Sequence, residues 1–202
     1  MLHIHHLENS RSQRVIWLLE ELNLEYKIIN HKRKPGTRTA PESLRAIHPL
    51  AKAPVLCDND VVLAETGAIF AYLLERYGNG RFMPGKETAA RVQYIFWIHF
   101  AEGSFMPYLA MKLVFARIVE QVPFFVRPLI KFIFQSVGAK YLNPNLRREI
   151  DAIEEHLSSH EWFAGCEFTA ADIMMGFMLE AIAGRMANGA RHPNIMRFLN
   201  AM

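Results

Sequence analysis

The chain has only two cysteines in 202 residues, Cys57 and Cys166, far apart and without CxxC spacing. That scarcity excludes a disulfide scaffold and argues against a zinc site or a dithiol redox centre; it fits a reducing compartment, the cytoplasm. Charge of one sign is also scarce. Charged residues make up 21% of the chain and the net charge is +3, so no concentrated cationic face is expected and nucleic acid is not an expected partner. The densest basic run, His31, Lys32, Arg33, Lys34 and Arg38, lies beside Pro35 and Gly36 and lacks the interleaved aromatics that stack on bases; it reads as a solvated loop. Met1 to Leu7 carries three histidines and no apolar run, so no secretory signal peptide is expected. Long hydrophobic runs are missing as well. The most apolar stretch, Leu109 to Val137, is interrupted by Lys112, Arg117, Glu120, Arg127 and Lys131 and by Pro123 and Pro128. Nothing approaches the about 18 to 20 apolar residues that span a bilayer, so no membrane partner is expected. The stretch reads as buried helices with a break at the prolines.

What is present suits two small domains: 51% of residues are hydrophobic, enough for a sizeable core. His3 to His6 reads as a strand, Glu8 to Ser12 as a polar turn, and Val15, Leu18, Leu19 and Leu22 mark one face of a helix. A second strand, Tyr26 to Ile29, follows at the spacing of a βαβ crossover. Asp58-Asn59-Asp60 separates two short β runs and predicts a hairpin. Helical spacing resumes at Glu65-Thr66, with Ile69, Phe70, Leu73, Leu74 and Tyr77 in register and Gly78 as the stop. Residues 79–86 are polar and rich in Gly and Pro, and beyond them no period-2 segment occurs. The expectation is therefore an α/β unit with βαβ-ββα order over 1–78, a linker over 79–86 and an all-α unit over 87–202. In the latter, a long helix runs to about Ile118 and Thr169-Ala170-Ala171-Asp172 opens a helix as a capping box.

Three motifs then stand in a specific order: Asn9-Ser10-Arg11-Ser12-Gln13-Arg14 before the first helix, Lys52-Ala53-Pro54-Val55 entering the third strand, and Leu63-Ala64-Glu65-Thr66-Gly67-Ala68-Ile69 opening the third helix. Together with the layout, they resemble the cytosolic glutathione S-transferase family over essentially the whole chain, in a bacterial-type member with a serine/asparagine motif. The resemblance implies a thioredoxin-like N-terminal domain that binds glutathione, an all-helical C-terminal domain and a homodimer. It also implies a cis Ala53-Pro54 bond whose Ala53 backbone pairs with the cysteinyl unit. The chain ends soon after the Pro193 to Leu199 helix begins, which is shorter than many relatives.

Glutathione has two carboxylates, an amine and a thiol, and the sequence offers a group for each. Free amides at the start of a helix at Glu65-Thr66, with the Thr66 hydroxyl, suit the γ-glutamyl carboxylate, and Glu65 suits the amine. Lys52 suits the glycine carboxylate, with His48 or the basic loop as helpers. A thiol becomes nucleophilic only when ionised, and helix-end amides plus a hydroxyl donor favour the thiolate. Ser10 is the first choice for that donor; counting back from Arg14 puts Asn9 at the family's catalytic position, so both stay as candidates. Ser12 reads as the helix N-cap and Arg11 as a source of positive potential. No cysteine stands at these positions, which disfavours thiol exchange, and Cys57 and Cys166 read as incidental. Met106, Tyr108 and Met111, near an expected helix kink, are the candidates for an apolar second-substrate pocket. His99 and Glu102 read as a local pair without a third ligand, so no metal site is expected. The expected activity is attack of the glutathione thiolate on a small hydrophobic electrophile or peroxide, with reduced glutathione as co-substrate and no permanently bound cofactor. The alternative is a non-catalytic glutathione-binding or ligand-carrying protein of the same fold.

Overall fold

The computed structural model describes residues 1–34, 39–184 and 191–202. Alternation places Leu2 and Ile4 of the first strand in the core, with Leu7 buried on the other face, and the strand they form, β1 (Leu2–Leu7), lies inside a four-stranded sheet. It pairs in parallel with β2 (Tyr26–His31) and antiparallel with β3 (Val55–Asp58), which turns back into β4 (Val61–Ala64). The sheet order is β2-β1-β3-β4, mixed as expected. Between the strands come α1 (Ser12–Glu21), α2 (Glu42–Ile47) and, after β4, α3 (Thr66–Tyr77). The buried stripes of α1 (Val15, Leu18, Leu19) and α3 (Ile69, Phe70, Leu73) share one core with Ile4 and Leu56 of the sheet.

The second unit is helical: α4 (Ala89–Phe100), α5 (Met106–Gln121), α6 (Arg127–Val137), α7 (Asn143–Ser159), α8 (Ala170–Ala183) and α9 (Pro193–Ala201). The expected long helix is present as α4 and α5, joined by a π-helical turn at Ala101–Phe105. A similar turn at Gly138–Leu142 leads from α6 into α7. Each turn precedes a proline, Pro107 or Pro144, and the wider turn absorbs the ring and the missing N–H. Helix α8 is the hub: apolar on every side, it buries ten residues from Ala170 to Ile182 and touches α1, α4 and α9. Its start is the expected capping box. Asp172 accepts from Thr169 N at 2.7 Å, Thr169 Oγ1 at 3.0 Å and Phe163 N at 2.8 Å. Burial pushes the Asp172 carboxyl up to about 6.

Two expectations are corrected here. Helices α5 and α6 contain no buried residue and are not buried helices; α8 is packed instead by α1, α4 and α9. The basic run is not simply a solvated loop. His31 is buried at the end of β2, its Nε2 3.0 Å from His5 Nδ1 and its Nδ1 2.8 Å from Ser43 Oγ of α2. Arg33 donates to the Glu8 and Asn9 carbonyls at 3.1 Å each. Arg38 lies outside the described residues.

Candidate active site

The turn between β1 and α1 is fixed first by its backbone. Asn9 takes φ +52°, the left-handed region that asparagine tolerates, and this aims Ser10 and Arg11 away from the sheet into a cleft of about 800 Å³. The helix then starts with Arg11 at the N-cap (φ −65°, ψ −9°) and no side-chain cap. The expected cap, Ser12, is instead the first helical residue. Its amide donates to Ser10 Oγ at 3.3 Å, so Ser10 caps from one residue outside, and its hydroxyl is free for another use. Ser12 Oγ lies 2.6 Å from Ser10 Oγ and 2.8 Å from His6 Nδ1, forming a continuous chain from His6 through Ser12 to Ser10.

One wall of the cleft comes from the N-terminal unit: Asn9, Ser10, Arg11, Arg33, Lys52 and Ala53. The Ala53-Pro54 bond is cis. Ala53 lines the cleft, while Pro54 is buried behind it. His48 is turned elsewhere, its Nδ1 accepting from Leu50 N at 3.3 Å. The opposite wall is apolar and comes from Met106, Leu109 and Leu113 of α5, Ile150 of α7, and Phe177 and Met178 of α8. Of the three apolar residues picked from sequence, only Met106 is there. Tyr108 faces Tyr141 at 6.2 Å, and Met111 shares the stripe of Phe115, which stacks on Phe134 of α6 at 4.3 Å; the helix turns both away from the cleft.

Glu65 lines a second groove, separate from the first, and Thr66 follows it in the chain. Glu65 is the N-cap of α3 with φ +73°, ψ +124°, a region that bulky residues avoid and that is held here by the β4-to-α3 junction. Thr66 is buried, and the first-turn amides of α3 have no intrahelical acceptor. Glu65 lines the groove with Gly67, His99 and Glu102.

Glu102 joins the two grooves, and not as expected. Rather than pairing with His99, its carboxylate accepts from Arg11 Nη1 and Arg14 Nη1, each at 2.6 Å. Arg14 is fully buried between α1 and α8, its guanidinium 4.8 Å from the Phe177 ring centroid, with Nε and Nη2 unpartnered. Burial pulls the Arg14 pKa down and the Glu102 carboxylate opposes that pull. This ion pair fixes the first turn of α1 against the π-helical turn of the helical unit.

Two family models match in tandem, described as the glutathione S-transferase N-terminal domain over residues 4–81 and the glutathione S-transferase C-terminal domain over residues 110–202. Glutathione S-transferase 3 of Schizosaccharomyces pombe is 36% identical over 203 residues, covering 100% of this chain and 83% of that protein. The chain belongs to the glutathione S-transferase family. Glutathione S-transferase 1 of Saccharomyces cerevisiae is 28% identical over 211 residues, with 100% of this chain and 90% of that protein covered. A solved glutathione S-transferase from Actinobacillus pleuropneumoniae matches with a TM-score of 0.79 at 35% identity, covering 99% of this chain and 86% of that one.

For this glutathione S-transferase chain, sequence reasoning missed Arg14 and Glu102 as a pair, and His6; Arg33 of the basic loop, offered there as a helper to Lys52, does line the cleft. Arg14 had a signal: it stands in register with Leu18 and Leu22 on the buried stripe of α1, where a cation needs a partner. Cys57 remains without a role in the cleft. Burial pushes its thiol up, and its nearest polar neighbour is His5 Nε2 at 3.6 Å. Among the described residues no cluster of three His, Cys, Asp or Glu is arranged to hold a metal, and no helix is long and apolar enough to cross a membrane.

Proposed function

We propose that this protein is a glutathione transferase in which Ser10 stabilises the glutathione thiolate and directs it at a small hydrophobic electrophile. The observation that carries the reading is the run of contacts that ends on Ser10 Oγ at the cleft wall, 2.6 Å from Ser12 Oγ, which itself lies 2.8 Å from His6 Nδ1. Ser10 Oγ accepts from Ser12 N; we assign the Nδ1–H tautomer to His6, so that His6 donates to Ser12 Oγ and Ser12 O–H donates to Ser10 Oγ across the two contacts, which fills both acceptor sites of Ser10. Its own proton then points into the cleft, ready for a sulfur anion. Asn9 keeps the turn in its left-handed conformation.

Glutathione would lie extended along the N-terminal wall. The γ-glutamyl carboxylate sits on the amides and hydroxyl at Thr66, with Glu65 accepting from the amine. The Ala53 backbone pairs with the cysteinyl unit, and Lys52 attracts the glycine carboxylate. Arg11 adds positive potential beside the sulfur. The thiol proton leaves to solvent as the thiolate forms. Sulfur then bonds to the electrophilic carbon while the leaving group departs with its electron pair; with a peroxide, a second glutathione completes the reduction, giving alcohol, water and glutathione disulfide. The apolar wall of Met106, Leu109 and Phe177 receives the electrophile, so catalysis is lowered thiol pKa plus proximity. We take the units as 1–78 and 87–202, acting in a cytoplasmic homodimer, with two unpaired cysteines suiting that compartment.

The test is turnover of a small chloronitroaromatic electrophile with reduced glutathione, together with calorimetric binding of glutathione. Saturable conjugation that falls in Ser10→Ala supports the assignment. Binding without conjugation would favour the ligand-carrying alternative.

A further inference from the structure

Helices α5 and α6 form a hairpin with no buried residue in either arm, although the first turns of α5 line the cleft. Its inner side is closed by the Phe115–Phe134 stack. Its outer side is apolar: Leu129, Phe132, Ile133 and Val137 recur at helical spacing along α6 and are all exposed, Phe132 by 67%. At the tip, next to Pro123, Phe124 and Phe125 are 79% and 72% exposed. Exposed phenylalanines in pairs at the end of a hairpin are costly to keep in water.

The charges of this hairpin are mostly positive. From Met106 to Leu142 there are five cations, Lys112, Arg117, Arg127, Lys131 and Lys140, and a single carboxylate, Glu120. A chain with net charge +3 thus concentrates its basicity where its apolar surface is exposed. We propose that the α5–α6 hairpin docks on an anionic lipid surface, with Phe124 and Phe125 entering the acyl boundary and the lysines meeting lipid phosphates. An amphipathic element with a basic polar side and phenylalanines on the other is built for that interface. A second copy fits less well, since a two-fold contact through this face would bring like cations together. No described helix is long enough to cross, so the protein lies on the bilayer.

The apolar strip also reaches the cleft. Leu113 lines the cleft and is 52% exposed, and Val114 and Ile118 continue from it toward the tip. A lipophilic electrophile dissolved in the bilayer therefore has an apolar route to the cleft mouth. This consequence rests on the transferase reading; the docking does not.

The test is flotation of the full chain with vesicles of equal parts phosphatidylcholine and phosphatidylglycerol, and with phosphatidylcholine alone. The wild type should float with the anionic vesicles, be released by salt, and stay behind with the neutral ones. Phe124→Ser/Phe125→Ser should weaken partitioning at least about tenfold and Lys131→Glu about tenfold, with melting temperature and turnover of a water-soluble electrophile unchanged. Failure of the wild type to float, or equal binding to both vesicles, overturns the proposal. So does a fall in solution mass on Phe124→Ser/Phe125→Ser without vesicle binding by the wild type, which would assign the face to a second copy.

Discussion

Replacing Glu102 with glutamine removes the one counter-charge of a cation that has no access to water. Arg14 Nη1 lies 2.6 Å from the carboxylate and the arginine side chain is 0% exposed. At that distance, with an effective dielectric near 20, the attraction is about 6 kcal/mol. The glutamine oxygen keeps the hydrogen bond and recovers part of it, so a loss of about 3 kcal/mol is expected, the lower end for orphaning a buried ion. In a chain of this length that lowers the melting temperature by roughly 6–12 °C. Arg14→Met should be close to neutral, because it removes the buried cation along with the unpartnered Nε and Nη2. In that background Glu102→Gln should cost less than about 1 kcal/mol, since only the Arg11 pair remains and Arg11 is 39% exposed. Thermal and urea unfolding of the four proteins closes the cycle. Equal costs of Glu102→Gln with and without Arg14 would refute the assignment of the stabilisation to this buried pair.

Three further outcomes follow from the site and its support. Ser10→Ala should lower kcat by about 10²-fold with little change in KM for glutathione, the usual size for one lost donor to a developing anion, and His6→Phe should lower it less; steady-state kinetics decides. Burial, and for His5 the neighbouring His31, hold both histidines below the ordinary 6.5. Their contribution to stability is therefore present above 6.5 and lost as pH falls below it, and His31→Gln should flatten that limb of a urea-unfolding pH series. Asp172 behaves oppositely: its carboxyl is raised from 3.8 to about 6, so its contribution is full below 3.8 and lost as pH rises through about 6. Asp172→Asn should remove that slope, at a cost of roughly 1–3 kcal/mol from the broken cap.

Features encoded by neighbours in the chain were legible in the sequence. The hairpin at Asp58-Asn59-Asp60, the capping box at Thr169–Asp172 and the order βαβ-ββα all rest on turn residues and short-range periodicity. The start of α1 was off by one residue because the left-handed turn at Asn9 lets Ser10, not Ser12, satisfy a first-turn amide. Exposure of α5 and α6 was not legible, since an apolar period says that a helix has a face and not that anything covers it. In the cleft, the first two glutathione motifs supplied Ser10, Lys52 and Ala53 as lining residues, but Tyr108 and Met111 do not line it, because Met106, Leu109 and Leu113 form one stripe of α5 at helical spacing and the other two fall on its far side. Glu102 was paired with His99 by sequence spacing, whereas its partners lie on α1 and are reached only through the fold.

The most direct test of the thiolate account is a pH titration of the ultraviolet absorbance of enzyme-bound glutathione thiolate in the wild type, Ser10→Ala and Asn9→Ala. The account predicts a thiol pKa well below that of free glutathione in the wild type, a return toward the free value in Ser10→Ala, and little change in Asn9→Ala. An equally depressed pKa in Ser10→Ala, or one that rises only in Asn9→Ala, would contradict it.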